Sequence, residues 1–393
     1  KEVDYLALHT PEVYQASPRT GFQGIWKLPP GHLLTFQSGQ LSLQRYWAIE
    51  PREDAPSLAQ AVDELDHLLD SAVEMQMVAD VPVGCFLSGG LDSSLILALM
   101  QKHSRMPVST FTIRYSRADQ KFERMPDDSV FAQKVARRFG CNHHELTLEP
   151  RVVQLLPKMV WHLDEPLSDP ASINTFLISE AARAKGIIVL LNGMGGDEVF
   201  GGYRRQLACL LATQFRSYLP GFVRHLVSVA VDRLPSATDR SGLRLTRWAK
   251  RFLMLAEHAS EDRYILNGVM DQELYHALFA SQRMAPIEAL EHPYAQAIRQ
   301  RLARPGLGYL TRMCLADTEI YLPDHNLNYM DKCTMAAGVE GRPPLTDHRM
   351  VQYLFSLSPH YRIGRRIQKF LLKKVAKKYL PAEIINRPKA NAV

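Results

Sequence analysis

The stretch Phe86–Leu95, FLSGGLDSSL, decides how the chain is read. Before it, Val81 to Leu87 (VPVGCFL) reads as a short buried strand. After it, Leu91 to Met100 (LDSSLILALM) reads as a helix that is apolar on most faces. The loop between them has glycines at the bend and puts Asp92 and Ser93 in the first helical turn. Gly89 and Gly90 admit positive φ and let another group approach the backbone closely. The N–H groups of that turn have no intrahelical acceptor, and the helix dipole favours an anion in front of them. A Ser-capped strand-to-helix turn has the same SGG core, so those three residues alone are ambiguous. The whole string offers a phosphate nest, three hydroxyls and one carboxylate, with no lysine where a Walker A loop has one.

Working outward, strands and helices alternate. Strand Val108–Arg114 is followed by helix Ser129–Phe139, strand His144–Leu148, helices near Val152–His162 and Ile173–Ala184, and the apolar strand Ile187–Leu191. This alternation predicts an α/β fold, a parallel sheet with helices on both faces. Such sheets bind ligands at the carboxyl ends of their strands. The first strand ends at SGGLDSS and the last at Asn192–Glu198 (NGMGGDE), so two Gly/Asp loops are expected to share one crevice. From Arg205 to about Leu322 the pattern is that of a helical insertion. Residues 1–48 stand apart, with Pro29-Pro30-Gly31 and Ser38-Gly39 as turns between short alternating strands. Residues 49–56 form a polar, Pro-containing linker, after which Ser57 caps the first helix of a region running to 393.

A hydrophobic fraction of 46% and a charged fraction of 22% over 393 residues describe a globular chain with room for a large core. The longest apolar runs fall far short of the roughly 20 residues that a membrane span needs. The chain begins at Lys1 rather than Met, which reads as a fragment or a processed product. Five scattered cysteines without a CxxC point to reduced thiols, no zinc site and a cytoplasmic setting. The net charge of +6 is uneven: Arg204 to Arg251 holds ten Lys or Arg against two Asp. The segment Arg366–Lys378 (RIQKFLLKKVAKK) reads as a basic helix, with Ile367, Phe370, Leu371 and Val375 inward and its lysines solvated. An anionic ligand is the alternative reading of both basic stretches. No nucleic-acid module accompanies them.

Asp92 and Asp197 are the leading chemical pair, each just after a glycine turn at a strand end. Two carboxylates beside a polyphosphate suit Mg²⁺, although each alone would also serve as a helix cap. Further acids lie in Leu163–Pro170. Asp331, Lys332, Glu340 and Arg342 sit on a stretch too polar for plain core, for which surface ion pairing is the alternative. Lys389, by itself, reads as a solvated C-terminal lysine.

Five ordered strings resemble one family: DVPVGCFLSGGLDSS (Asp80–Ser94), DEPLSDPAS (Asp164–Ser172), GGDEVFGGY (Gly195–Tyr203), VEGRPPLTD (Val339–Asp347) and NRPK (Asn386–Lys389). They are similar to the synthetase domain of glutamine-dependent asparagine synthetases of class B type, whose fold is that of the ATP pyrophosphatases. Residues 1–48 resemble the tail of that family's N-terminal, Ntn-type glutaminase domain. The resemblance implies ATP and Mg²⁺, a small-molecule carboxylate that is adenylated with release of pyrophosphate, and ammonia from glutamine that completes the amide. It implies pyrophosphate binding by Ser88, Gly89, Gly90, Asp92 and Ser93, an adenosine site at Leu87, Ile113 and Gly193, and Mg²⁺ on Asp92 and Asp197. Lys389, with Asp197 and Glu340, is the implied catalytic set, Lys389 neutralising charge as the adenylate forms.

There are two departures. Met194 stands where the family has Glu or Asp, and where related β-lactam-forming enzymes have Tyr. A thioether cannot take a proton or pair with an ammonium, so the acceptor is expected to differ from aspartate. Most of the glutaminase domain, with its N-terminal Cys, is missing, so this chain is expected not to hydrolyse glutamine. The expectation is an ATP-dependent amide ligase of the asparagine synthetase type. The alternatives are amidation of another acid, such as a sugar uronate in polysaccharide synthesis, or a catalytically inactive nucleotide-binding subunit. A homodimer is left open.

Overall fold

The structure, a computed structural model, describes residue 2 and residues 14–114, 128–147, 152–165, 167, 169–234, 244–268 and 292–387. In chain order the first elements are β1 (His32–Gln37), β2 (Gln40–Arg45), α1 (Leu58–Gln76), β3 (Val83–Phe86), α2 (Leu91–His103) and β4 (Ser109–Arg114). They are followed by α3 (Asp128–Arg138), β5 (Asn142–Thr147), α4 (Val152–Leu163), α5 (Ala171–Ala184) and β6 (Val189–Leu191). A helical run comes next: α6 (Gly196–Phe200), α7 (Arg204–Tyr218), α8 (Gly221–Asp232), α9 (Arg244–Glu257), α10 (Ser260–Gly268), α11 (Pro293–Leu302) and α12 (Tyr309–Ala316). A π-helical segment (Asp317–Leu327), α13 (Asn328–Ala336), β7 (Glu340–Arg342), α14 (His348–Ser356), α15 (Phe370–Ala376) and α16 (Ala382–Ile385) complete the described chain.

β1 and β2 form an antiparallel hairpin whose side chains are exposed on both faces. Ser57 caps α1 as expected: its hydroxyl accepts from the Gln60 N–H while Gln60 reaches back to the Ser57 N–H, closing a capping box.

The main sheet has the order β5–β4–β3–β6–β7, with every neighbouring pair parallel. Both faces are covered. Along β6, Val189 and Leu191 pack into one buried cluster and Leu190 into another, as period-2 alternation requires. α2 is buried from Leu95 to Met100 on all sides, which explains why its sequence shows no polar stripe. From β3 the chain moves to β4 on one side and later returns to β6 on the other. The C-terminal ends of β3 and β6 therefore flank a topological switch point, where doubly wound sheets open a crevice.

One expected element is shorter than its sequence pattern. The basic helix read over Arg366–Lys378 is helical only from Phe370 to Ala376. Before it the backbone turns back on itself through a Gly364–Ile367 bridge, with Arg365, Arg366 and Lys369 at positive φ. Lys369 is buried rather than solvated. The physical reason lies in the site.

Candidate active site

The first loop is closed by its own hydroxyls. Ser88 and Ser93 share a hydrogen bond of 2.9 Å, and the Ser88 N–H donates to the Ser93 hydroxyl at 3.2 Å. Gly89 is at φ +66°, and a Cβ there would stand 2.4 Å from the Ala132 nitrogen on α3. The bend thus needs glycine for its conformation and for its contact. Leu87 is buried at the end of β3, its N–H bonded to the Phe111 carbonyl at 2.9 Å. Ile113 is half-buried near the end of β4.

The second loop lies directly on the first. A Cβ on Gly193 would come within 2.7 Å of the Asp92 Cβ and 2.8 Å of the Ser93 nitrogen, and one on Gly196 within 2.9 Å of the Asp92 carboxyl. The glycines of NGMGG are spaces through which the two loops touch. Asp92, in the first turn of α2, and Asp197, in the first turn of α6, are thereby brought together.

A residue that sequence reasoning treated as solvated joins them. The Lys369 ammonium bonds Asp92 Oδ2 and lies 2.7 Å from Asp197 Oδ1. Burial alone would lower the lysine's pKa, but the charges of Asp197 and Asp92 outweigh it and hold the amine well above its ordinary range. Reaching both carboxylates from the segment before α15 puts Lys369 in the left-handed conformation at φ +53°, a cost that buried ion pairing offsets. This is why the helix starts late. Gly202 leaves room for the arrangement: a Cβ there would clash with both Asp197 and the Lys369 side chain.

Beneath the second loop lies a polar network that the sequence reading also missed. Glu198 is buried and accepts hydrogen bonds from the Tyr203 hydroxyl and the Asn326 amide. Burial pushes its carboxyl up to about 7, the Asp197 charge adds to the rise, and the Tyr203 bond opposes it. The Asn326 carbonyl oxygen lies 2.8 Å from His325 Nδ1, and His325 Nε2 lies 3.3 Å from Asp169. His325 and Asn326 belong to the π-helical segment, which contains Pro323. Proline has no N–H to donate, and π-turns often mark functional positions. The DE pair in GGDEVFGGY was the available signal for Glu198, but no local feature pairs it with Asn326.

The other candidates divide. Met194 borders an apolar cluster that includes Met159, Leu163, Phe176, Tyr329 and Met330, and its N–H donates to Asn192 Oδ1 at 2.9 Å. Glu340 is not brought to the Asp pair. It begins β7, opposite Val189 at the N-terminal end of β6, and its exposed carboxylate bonds Arg342 at 2.9 Å. Lys389 lies outside the described residues. Two residues earlier, Arg387 donates to the Ser88 carbonyl at 3.3 Å, pairs with Asp128 and covers the Phe131 ring at 4.2 Å. The end of the described chain is thus fixed against the first loop.

Among the described residues no group of three or more His, Cys, Asp or Glu could enclose a metal, and all five cysteines are free. Mg²⁺ bound with a nucleotide needs only one or two carboxylates, with phosphate oxygens and water completing its shell. The Asp92–Asp197 pair fits that demand, since it already holds a cation between its carboxylates.

A family model described as asparagine synthase matches residues 64–393. The chain belongs to that family. Asparagine synthetase [glutamine-hydrolyzing] 3 of Bacillus subtilis is 29% identical over 389 residues, which is 95% of this chain and 55% of that protein. Amidase chyE of Penicillium rubens is 23% identical over 411 residues, 95% of this chain and 59% of that protein. The chain therefore spans little more than half the length of the curated relatives it matches. A solved NH3-dependent NAD synthetase from Campylobacter jejuni, at 10% identity, covers 52% of this chain and 98% of its own, with a TM-score of 0.25. That likeness is too slight to assign the fold. Among the described residues no helix is long and apolar enough to cross a membrane.

Proposed function

We propose that the chain is the synthetase part of an ATP-dependent amide-forming ligase. A substrate carboxylate oxygen attacks the α-phosphorus of ATP; the new O–P bond forms as the bond to pyrophosphate breaks. Ammonia then attacks the acyl carbon and loses a proton, and AMP leaves with the former carboxylate oxygen. The observation that supports this reading is the meeting of Asp92 and Asp197 around the buried Lys369 ammonium, on the loops that follow the neighbouring strands β3 and β6. Phosphoryl chemistry of this kind demands charge neutralisation and in-line positioning more than covalent catalysis.

In this reading Ser88, Gly89, Gly90, Asp92 and Ser93 hold the pyrophosphate, while Leu87, Ile113 and Gly193 line the adenosine. Asp92 and Asp197 would hold Mg²⁺, which neutralises phosphate oxygens when bound. Lys369 supplies a fixed positive charge at the same carboxylates, and Lys389 is the proposed cation for the α-phosphate and the acyl oxygen. The ammonia source in the whole protein is glutamine, by resemblance to the family.

The acceptor is read from Met194. Its packing against an apolar cluster favours a carboxylate without an α-ammonium group, such as a sugar uronate, over aspartate. An unpaired buried charge costs several kcal/mol. The test is pyrophosphate release from ATP with ammonium present, across a panel of amino-acid and uronate carboxylates. Release that depends on one carboxylate supports the ligase. Pyrophosphate release with no carboxylate of any class would remove the reading, and release with aspartate alone would restore asparagine as the product.

A further inference from the structure

We propose that α8 and α9 form a docking surface for an anionic lipid bilayer, so that the protein works at a membrane face without crossing it. The proposal is independent of the ligase chemistry. It begins from the basic run Arg204–Arg251, which the site does not use.

α8 carries apolar side chains on its solvent side. Phe222 is 70% exposed and Leu226 63% exposed, with Ala230 exposed one turn further on. These positions are four apart and share one helix face. Tyr218, 81% exposed, ends α7 just before that face begins. α9 packs against α8 and shows Trp248 and Met254, half or more exposed, with Arg251 between them in the sequence and also exposed. Arg233, at the end of α8, is exposed too. A scattered exposed leucine is ordinary. Exposed Phe and Leu on one helix face, with exposed Tyr and Trp on the helices either side of it in the chain and arginines among them, have the composition of helices that lie in a headgroup layer.

The charge selects the occupant. Beside these apolar side chains Arg233 and Arg251 are exposed, and residues 204–251 contain no Glu to pair with them, so a second copy of this face would set arginine against arginine across a two-fold contact. An anionic leaflet supplies the complementary charge and a layer into which the aromatic side chains can sink. α8 has 12 residues, far below the roughly 20 needed to span; the helix therefore lies on the surface.

The test is flotation of the 393-residue chain with phosphatidylglycerol-rich vesicles and with pure phosphatidylcholine vesicles. The expected result is binding to the anionic vesicles, weaker by about tenfold or more on the neutral ones and released by high salt. Two variants separate the contributions: Phe222→Ser with Leu226→Ser, and Arg233→Glu with Arg251→Glu. All four positions are exposed, so both proteins should keep the thermal unfolding midpoint of the parent, and each should lose binding by about tenfold. No flotation of the parent chain, or equal flotation on both lipids, overturns the proposal. So does a dimer in sedimentation velocity that the Phe222/Leu226 variant abolishes while vesicles fail to bind, since the face would then join two copies.

Discussion

Arg244–Glu257 and Arg366–Lys378 look alike in sequence: both are basic, and both place apolar residues at helical spacing. They end differently. In α9, Arg251 stays in solvent. In the second segment the first turns are unwound, and Lys369 is buried between carboxylates, one of which lies 277 residues away in sequence. Helical spacing reports which face is apolar; it does not report which charge has a partner. A lysine leaves water only where opposite charge compensates for its lost hydration, and that charge is set by the fold.

Breaking the partner should therefore matter at one segment and not at the other. The largest effect is expected for Asp197→Asn. Removing one carboxylate from the cation pair should lower carboxylate-dependent ATP–pyrophosphate exchange by about a thousandfold, the scale of a lost charge-stabilising group, with the fold retained by circular dichroism. Near-normal exchange would take Asp197 out of the site. Arg251→Glu, on the exposed segment, should leave both exchange and stability within about 0.5 kcal/mol of the parent.

Next comes Lys369→Met. Without its ammonium the two carboxylates face each other with less compensation, and breaking a buried pair in this way costs about 3–5 kcal/mol. Denaturant unfolding without Mg²⁺ should show that loss, and adding Mg²⁺ should recover part of it. An unfolding midpoint equal to the parent's would mean that Lys369 is as dispensable as an exposed arginine, and the contrast between the two segments would fail.

What was legible in the sequence follows the same division. The sheet, the capping box at Ser57 and the two glycine loops are short-range patterns, and each lies within a few residues of the feature that announces it. Asp92 and Asp197 were readable because each follows a glycine turn at a strand end. Lys369 was not, since its conformation depends on partners remote in the chain. Neither was the Glu198 network, which needs Asn326 from the π-helical segment. Glu340 is the converse case: a motif residue named for chemistry begins β7 and pairs locally with Arg342, a contact two residues away that its sequence neighbourhood offers directly.

Glu198 extends the comparison to a buried group of the opposite sign that, among the described residues, no lysine or arginine side chain hydrogen-bonds directly. Its carboxyl titrates near 4.5 when unfolded and at about 7 in the fold. The folded state then binds more protons across that window. Its contribution is fully present below pH 4.5 and falls as pH rises toward 7, by about 3 kcal/mol in all. Glu198→Gln removes the ionisation. The stability difference between parent and variant, measured without Mg²⁺ or nucleotide, should move in favour of Gln by that amount from pH 4.5 to 8. A difference that does not change with pH would mean that Glu198 is not held as its burial implies.

The smallest effect is expected at Met194, where the lesson is a charge that is missing. The loop from Asn192 to Glu198 is anchored by Asn192 Oδ1, which accepts the Met194 N–H, and by glycines that touch Asp92. The backbone there is thus set independently of the Met194 side chain, which borders the apolar cluster between α4, α5 and α13. A carboxylate at this position would meet some desolvation from that cluster, and its gain with an ammonium-bearing acceptor would be reduced accordingly. Met194→Glu should therefore raise aspartate-dependent pyrophosphate release by only about tenfold, near 1.4 kcal/mol, while lowering the rate with the preferred carboxylate. Both rates come from one assay with ammonium present. Efficient use of aspartate by the parent chain, or no gain in the Glu variant, would show that the acceptor's ammonium is recognised elsewhere, and Met194 would no longer bear on the choice of substrate.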